Sequence, residues 1–443
     1  MTQMIEKPFF WVENVDGPGV QLIWDLDSGD VKTPVTPTMA EVLPKGLARY
    51  GDELRAQLGS VVSVKITHEE GGASGQWHTQ EMAVRYSKSV FPVFISITFD
   101  EGGRLAGITV DPSAGAITDV ELEDAFRSLP GSWSVTALAP GHPELAFRYR
   151  ADEAQGVASQ FKVLLLAKAC AEVTAGRMTL SDRLTMTNAL RGVPSCTLCD
   201  FDGGLQPTLR DVLHLLVSVS DNTAADLLRE HFGWASVNHF AETIGVEHPP
   251  PLISTQGLFA LECSAGPLSS VKPMDRGRYL ASLSTEERVQ AADEAAKEAF
   301  ADGPDAMTSR CWKGQTDARV ATAIAEVMDW PMRTSELAGL YANALQGQLV
   351  DEKTSECFLD FLSQGGSGSL PLDEHFVKGG AKNGIEADIR SLGLEYQTDR
   401  GPIAISISAA HIPSTDTDRA FAELNNAGKV LALYLYRQLP ETK

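Results

Sequence analysis

The sequence predicts an α+β protein built from two domains. Three features carry that expectation. An N-terminal stretch reads as one amphipathic helix followed by strands, the middle is rich in apolar helices, and the end is a strand hairpin followed by a last helix. At 443 residues the chain is also longer than one ordinary core organises.

In the first domain, residues 1–128, Met39, Leu43, Leu47, Tyr50, Leu54 and Leu58 recur at helical spacing. Val90 to Phe99 (VFPVFISITF) is β-branched and aromatic. The turn Asp100-Glu101-Gly102-Gly103 and the run Leu105 to Val110 complete a hairpin, closed by Asp111-Pro112-Ser113-Ala114-Gly115. A helix followed by strands in this order resembles the cone-shaped fold of nuclear transport factor 2 and the steroid isomerases. Leu129-Pro130-Gly131 and Pro140-Gly141-His142-Pro143 read as a linker zone. The second domain then spans 140–443.

In that domain Ser159 to Ala175 is apolar on most sides and stops at Gly176, the pattern of a buried central helix. Thr208 is placed to cap a helix with Leu209, Val212, Leu213 and Leu216 on one face. Asp221 or Asn222 is placed to cap another that ends at Gly233, and Ser335 to Leu345 is again helical. Leu392, Leu394 and Tyr396 alternate, as do Ile403, Ile405 and Ile407 across the Asp399-Arg400-Gly401 turn, which predicts an antiparallel hairpin. Phe421, Leu424, Gly428, Leu431 and Leu435 then mark a final helix.

Composition narrows the function. With 43% hydrophobic and 22% charged residues the chain is expected to fold rather than stay disordered. A net charge of −22 repels nucleic acid and anionic membranes, so neither is an expected partner. The N-terminus MTQMIEKPFFWVENV has no basic start followed by an apolar run, which predicts a cytoplasmic chain, or a periplasmic one if a leader has been trimmed. Six cysteines are too sparse for a disulfide scaffold. Cys196 and Cys199 form a lone C-x-x-C without the further ligands a zinc site needs, so it reads as a loop of chance spacing. No metal or cofactor is called for.

Three motifs carry the chemistry. Ser159-Gln160-Phe161-Lys162 is S-x-x-K, Ser220-Asp221-Asn222 is S-D-N, and Lys378-Gly379-Gly380 stands where K-T-G is expected. A serine hydroxyl needs a base before it attacks a carbonyl. Positions i and i+3 share a helix face, so Lys162 sits beside Ser159, and burial lowers a lysine's pKa enough for it to accept a proton. The Ser159 N–H and that of Ala381 are the expected oxyanion donors. Ser220 relays a proton to the leaving group, Lys378 supplies a cation for a substrate carboxylate, and Asn222, Gly379 and Gly380 contact substrate.

A histidine triad is the rival, but no G-x-S-x-G turn occurs. His214 falls within a helical pattern, and His375 marks a strand entry or lines the cleft. Glu262, in the run Leu258 to Cys263, follows S-D-N and is a further candidate carboxylate. The plain alternative for Ser159 and Lys162 is a helix cap with a snorkelling lysine. The order of the three motifs favours the catalytic reading.

These motifs resemble those of the serine β-lactamase and penicillin-binding protein superfamily. Ala175-Gly176-Arg177-Met178-Thr179-Leu180-Ser181-Asp182 and Leu205 to Leu228 (LQPTLRDVLHLLVSVSDNTAADLL) are similar to its turn and helices, as is Trp330 to Gly347. With the N-terminal domain, the chain resembles a two-domain group that includes the cephalosporin-esterase-like protein of clavulanic acid biosynthesis. The resemblance implies an acyl-enzyme at Ser159 and small ester or β-lactam-like substrates. Gly379 in place of threonine, the lack of an E-x-x-L-N loop, and a surplus between Asp275 and Trp330 that reads as a lid imply an esterase rather than an efficient β-lactamase.

Overall fold

The computed structural model describes residues 17–43, 45–71, 77–87, 93–109, 118–191, 195–263, 268–299, 301, 318–365 and 375–441. The chain divides into two units, residues 1–128 and 129–443. The N-terminal unit begins with α1 (Pro18–Ser28), α2 (Pro37–Val42) and α3 (Gly46–Leu58). Four antiparallel strands follow in the order β1-β2-β3-β4: β1 (Val61–Gly71), β2 (Trp77–Tyr86), β3 (Val93–Asp100) and β4 (Leu105–Thr109). α4 (Asp119–Ser128) ends the unit. Leu22, Ile23 and Leu26 of α1 share a core with Met82, Val84, Ile95 and Ile97 of the sheet.

The one helix expected from Met39 to Leu58 is two. Leu43 leaves the helical region at φ −111°, ψ 65°, as a residue that precedes a proline in sequence is biased to do. α1 adds a helix to those expected, its limits marked by Pro18 at its first turn and Gly29 beyond its end, at φ 79°. The expected Asp111–Gly115 turn and residues 90–92 of the expected strand lie outside the described residues.

The second unit is a five-stranded antiparallel sheet with helices against it, in the order β6-β5-β11-β10-β9. Its strands are β5 (Ser132–Leu138), β6 (Ala146–Tyr149), β9 (Phe376–Glu386), β10 (Ile389–Thr398) and β11 (Pro402–Ala410). A two-stranded pair joins β7 (Gln155–Gly156) to β8 (Pro331–Met332). The linker zone is therefore partly sheet: β5 pairs with β11, and Trp133, Val135 and Ala137 are buried. Turn-forming Gly and Pro flank this strand on both sides, which disguised it. The hairpin register is the expected one, with Leu392 opposite Ile407, Leu394 opposite Ile405 and Tyr396 opposite Ile403.

The helical half is α5 (Lys162–Thr174), α6 (Leu209–Ser218), α7 (Asn222–Phe232), α8 (Trp234–Thr243), α9 (Thr255–Cys263), α10 (Arg276–Ala281), α11 (Thr285–Ala299), α12 (Ala318–Met328), α13 (Thr334–Leu345) and α14 (Glu352–Leu362). α15 (Thr417–Gln438) packs on β10 and β11, and Gly428 faces Leu394 so closely that a Cβ would meet its side chain at 2.7 Å. Leu164, Leu165 and Leu166 of α5 are fully buried, worth about 2 kcal/mol each by area. The described part of the expected lid is instead a packed layer. α11 lies on α9, with Val289, Ala292 and Ala295 buried, because its alanines recur on one face. Among the described residues no helix is long and apolar enough to cross a membrane.

Candidate active site

Ser159 sits in a single 3₁₀ turn, Ala158–Phe161, that leads into α5. This turn is held from several sides. Gln160 Nε2 donates to Ser406 Oγ at 3.1 Å, Ser391 Oγ donates to Val157 O at 2.5 Å, and the Phe161 ring stacks on Trp330 with centroids 3.9 Å apart. Behind the turn, Ala158 N–H donates to Asp329 Oδ2 at 3.0 Å. Burial raises the Asp329 carboxyl well above its ordinary range, and the Glu386 charge adds to that. Ala158, with φ 43°, and Ser220, with φ 57°, occupy the left-handed region that side chains normally avoid. Such strain persists only where the surroundings hold it, and here it falls on both sides of the candidate centre.

Lys162 is 1% exposed. Its Nζ donates to Ser220 O at 2.5 Å, to Ser220 Oγ at 3.2 Å and to Asn222 Oδ1 at 2.7 Å. Burial pulls the ammonium down to about 7, against the raising pull of the Asp221, Asp226 and Glu386 charges. A lysine so held is neither a solvated cap nor a snorkelling side chain. Asp221 is the N-cap of α7, with Oδ1 accepting from Ala224 N–H at 2.8 Å.

The structure corrects the third motif. Lys378 is exposed, and its Nζ pairs with Asp360 Oδ1 at 3.0 Å. Four residues along β9, Lys382 is 2% exposed, and its Nζ donates to Ser220 Oγ at 2.9 Å and to Asn383 O at 2.7 Å. Burial lowers this lysine well below its ordinary range, and the Lys162 charge adds to that. Lys382-Asn383-Gly384, not Lys378-Gly379-Gly380, therefore meets the S-D-N turn. Gly379 and Gly380 pair with Tyr396 and Glu395 instead. Alternation puts Lys378 and Lys382 on one face of the strand, so the pattern could not choose between them. The signal in the sequence was the polar side chain of Asn383 between a lysine and a glycine. The glycine is required: a Cβ on Gly384 would meet Val157 O at 2.4 Å and Ser159 N at 2.8 Å.

The β9–β10 hairpin turns in two residues, Ala387 and Asp388, and closes on the Glu386–Ile389 pair. Even-numbered residues then exchange ladder bonds, and the N–H groups of Ala381, Asn383 and Ile385 face away from β10. The Ala381 carbonyl confirms this sense, because it points at Gly365. Ser159, Ser195, Ser218, Ser220, Ala381, Asn383 and Ile385 line one cavity of about 430 Å³. No carboxylate is among its described lining residues. A larger cavity of about 760 Å³, lined by Arg229, His231, Asp293 and Lys297 among others, contains none of the motif residues.

The rival residues lie elsewhere. His214 Nδ1 lies 2.7 Å from Gln364 Oε1, and His375 Nδ1 lies 2.7 Å from Asp399 Oδ2 and stacks on Tyr436. Neither lines the Ser159 cavity. Glu262 is buried within α9. The C-x-x-C is not a loop of chance spacing: Cys196 and Cys199 are disulfide-bonded, with Cα atoms 5.6 Å apart. Among the described residues no cluster of side chains is arranged to hold a metal ion.

Known proteins share this fold. A sequence model of the beta-lactamase enzyme family matches residues 117–301. The structure is similar to a β-lactamase from Sphaerobacter thermophilus DSM 20745, with 18% identity over 71% of this chain and 97% of that one, at a TM-score of 0.50. It is also similar to a PBP-A variant solved as an acyl-enzyme complex with penicillin G, with 15% identity over 72% of this chain and 96% of that one, at the same TM-score. No curated protein sequence matches the chain. The helical half and antiparallel sheet are thus a β-lactamase-like fold. The family model over residues 117–301 and the shared fold are what liken the chain to the serine β-lactamases and penicillin-binding proteins.

Proposed function

We propose that the protein is a serine acyl hydrolase that forms an acyl-enzyme at Ser159. One observation carries this reading. Two buried lysines, Lys162 and Lys382, converge on the Ser220 hydroxyl at the edge of the cavity that Ser159 lines. A neutral Lys162 takes the proton from Ser159 Oγ as it attacks the substrate carbonyl. The oxyanion rests on the Ser159 N–H and on an outward N–H of β9. Ile385 supplies it better than Ala381, because Ile385 follows Gly384, the residue seated against Ser159 N. Ser220 passes a proton to the leaving group, and Lys382 replaces Lys378 as the cation for a substrate carboxylate. Water then cleaves the acyl-enzyme, giving acid and free serine.

The substrate we favour is a small ester, in keeping with the cephalosporin-esterase-like resemblance. The cavity lining supports this, since none of its described residues is a carboxylate that would drive water onto a stable acyl-enzyme. Lys382 and Asn383 favour β-lactam recognition as a second reading, because the polar side chain thought lost at Gly379 is present at Asn383. We further propose that the N-terminal unit is similar to nuclear transport factor 2 and the steroid isomerases, a likeness supported by its helices followed by a strand meander. Turnover of p-nitrophenyl acetate and nitrocefin, followed beside intact mass, tests the substrate assignment. Ester turnover without a lasting adduct supports the esterase, rapid nitrocefin hydrolysis the β-lactamase, and a stable adduct without turnover a binding protein.

A further inference from the structure

The loop closed by Cys196 and Cys199 is the loop that holds the S-D-N turn. Thr197 and Leu198 lie inside the disulfide ring, and both donate their N–H groups to Asp221 Oδ2, Leu198 at 2.9 Å. Just before the ring, Ser195 O accepts from Asn222 N–H at 2.7 Å, and Ser195 Oγ donates to Val219 O at 3.2 Å. Val219, Asp221 and Asn222 are thus all fixed to residues 195–198, and Ser220 among them is held at φ 57°. Ser195 also lines the Ser159 cavity. Both cysteines are partly exposed, so a reductant in solution reaches the bond. Cys170 and Cys357 form no disulfide.

We propose that Cys196–Cys199 is a thiol–disulfide site that controls acyl transfer: reduction by a dithiol slackens the S-D-N turn and slows acylation of Ser159. The proposal rests on the acyl-hydrolase reading. The bonded ring fixes the Thr197 and Leu198 N–H groups side by side on one carboxylate oxygen. Opening it restores backbone freedom to that pair, and a displacement of about 1 Å at a reacting centre costs about 100-fold in rate. The exchange balances. A dithiol thiolate attacks one sulfur, the S–S bond breaks, and a mixed disulfide forms. The reductant's second thiol displaces it and leaves as a cyclic disulfide. Two electrons and two protons pass to Cys196 and Cys199, and a disulfide oxidant reverses the step.

The test uses the full chain, reduced with dithiothreitol and freed of it under nitrogen before assay. Peptide mass after alkylation reports the state of Cys196 and Cys199. Acylation by a fluorescent penicillin, p-nitrophenyl acetate turnover and amide hydrogen exchange across 195–222 are then measured. We expect turnover to fall at least about tenfold on reduction and to return with oxidised glutathione, while exchange across 195–222 quickens. Cys196→Ser/Cys199→Ser is expected to sit at the reduced level and to ignore both reagents; if it fails to fold, the reduced native chain carries the comparison. Confirmed reduction with a rate and exchange both unchanged within twofold overturns the proposal, as does faster acylation. Should neither redox state turn over or become labelled while exchange still responds, it is the acyl-hydrolase reading that falls, and the coupling of disulfide to turn stands.

Discussion

Gly384→Ala isolates the closeness of strand to nucleophile. A Cβ at this position would lie 2.4 Å from Val157 O, 2.5 Å from Ser391 Oγ and 2.8 Å from Ser159 N. Ordinary contact begins near 3.4 Å, so β9 and the Ser159 turn must part by about 1 Å. Two of the three obstructing atoms are backbone, which cannot rotate away. A shift of that size at a reacting centre costs about 100-fold, equivalent to about 2.7 kcal/mol in the barrier. Overpacking costs about 1–3 kcal/mol in stability, so a stable chain remains folded. Stopped-flow acylation and steady-state kcat/KM on the variant read the rate, with thermal melting as the control for folding. Gly339→Ala, on α13 with open space around its Cβ, serves as a benign comparison. A folded Gly384→Ala that acylates within about threefold of the parent would refute the claim that this strand and turn form one centre.

Other expectations follow from the same geometry. Lys382→Ala lowers kcat/KM by about 100-fold or more, since it removes a buried partner of Ser220, whereas Lys378→Ala, an exposed ion pair, stays within about twofold; parallel kinetics on both variants decide which lysine belongs to the site. The acylation rate rises with pH through about 7 as Lys162 loses its proton. Glu386→Gln moves that limb to lower pH, because the Glu386 charge raises the lysine; a pH–rate profile unmoved by the substitution contradicts the assignment. In stability the sign is likewise fixed: the unfolded lysine binds a proton between about 7 and 10.5 that the folded one does not, so this group's contribution rises with pH across that window, measurable by denaturant titration. Asp329→Asn keeps a neutral acceptor for Ala158 N–H and preserves most activity, while Asp329→Ala orphans a buried N–H, costs about 1–3 kcal/mol and slows acylation, as melting and kinetics on the pair will show.

Much of this centre is legible in the sequence, and the part that is not has a physical reason. Ser159, Lys162 and Ser220 stand out because local spacing alone places them: a turn into a buried helix, and a capped turn between two helices. Thr208 shows the same, since its capping box with Asp211 needs only neighbouring residues. The third motif depends on where an edge strand enters the cleft, which is a tertiary fact. Lys378 and Lys382 share a face and differ only in burial, which alternation does not encode. Strand β5 was hidden by the turn residues around it, and the break at Leu43–Pro44 was outvoted by an unbroken apolar period. The disulfide escaped notice because a C-x-x-C reads alike whether bonded, metal-binding or idle. Its contact with Asp221 arises from a loop 23 residues away from that carboxylate in sequence.

The site of acylation tests the assignment of Ser159 most directly. The chain is treated with a fluorescent penicillin or an active ester, quenched in acid, digested and sequenced by mass spectrometry. One acyl adduct is expected, on the Ser159 hydroxyl, absent from Ser159→Ala and strongly slowed in Lys162→Ala. An adduct on another residue, or labelling and turnover that survive in Ser159→Ala, would contradict it.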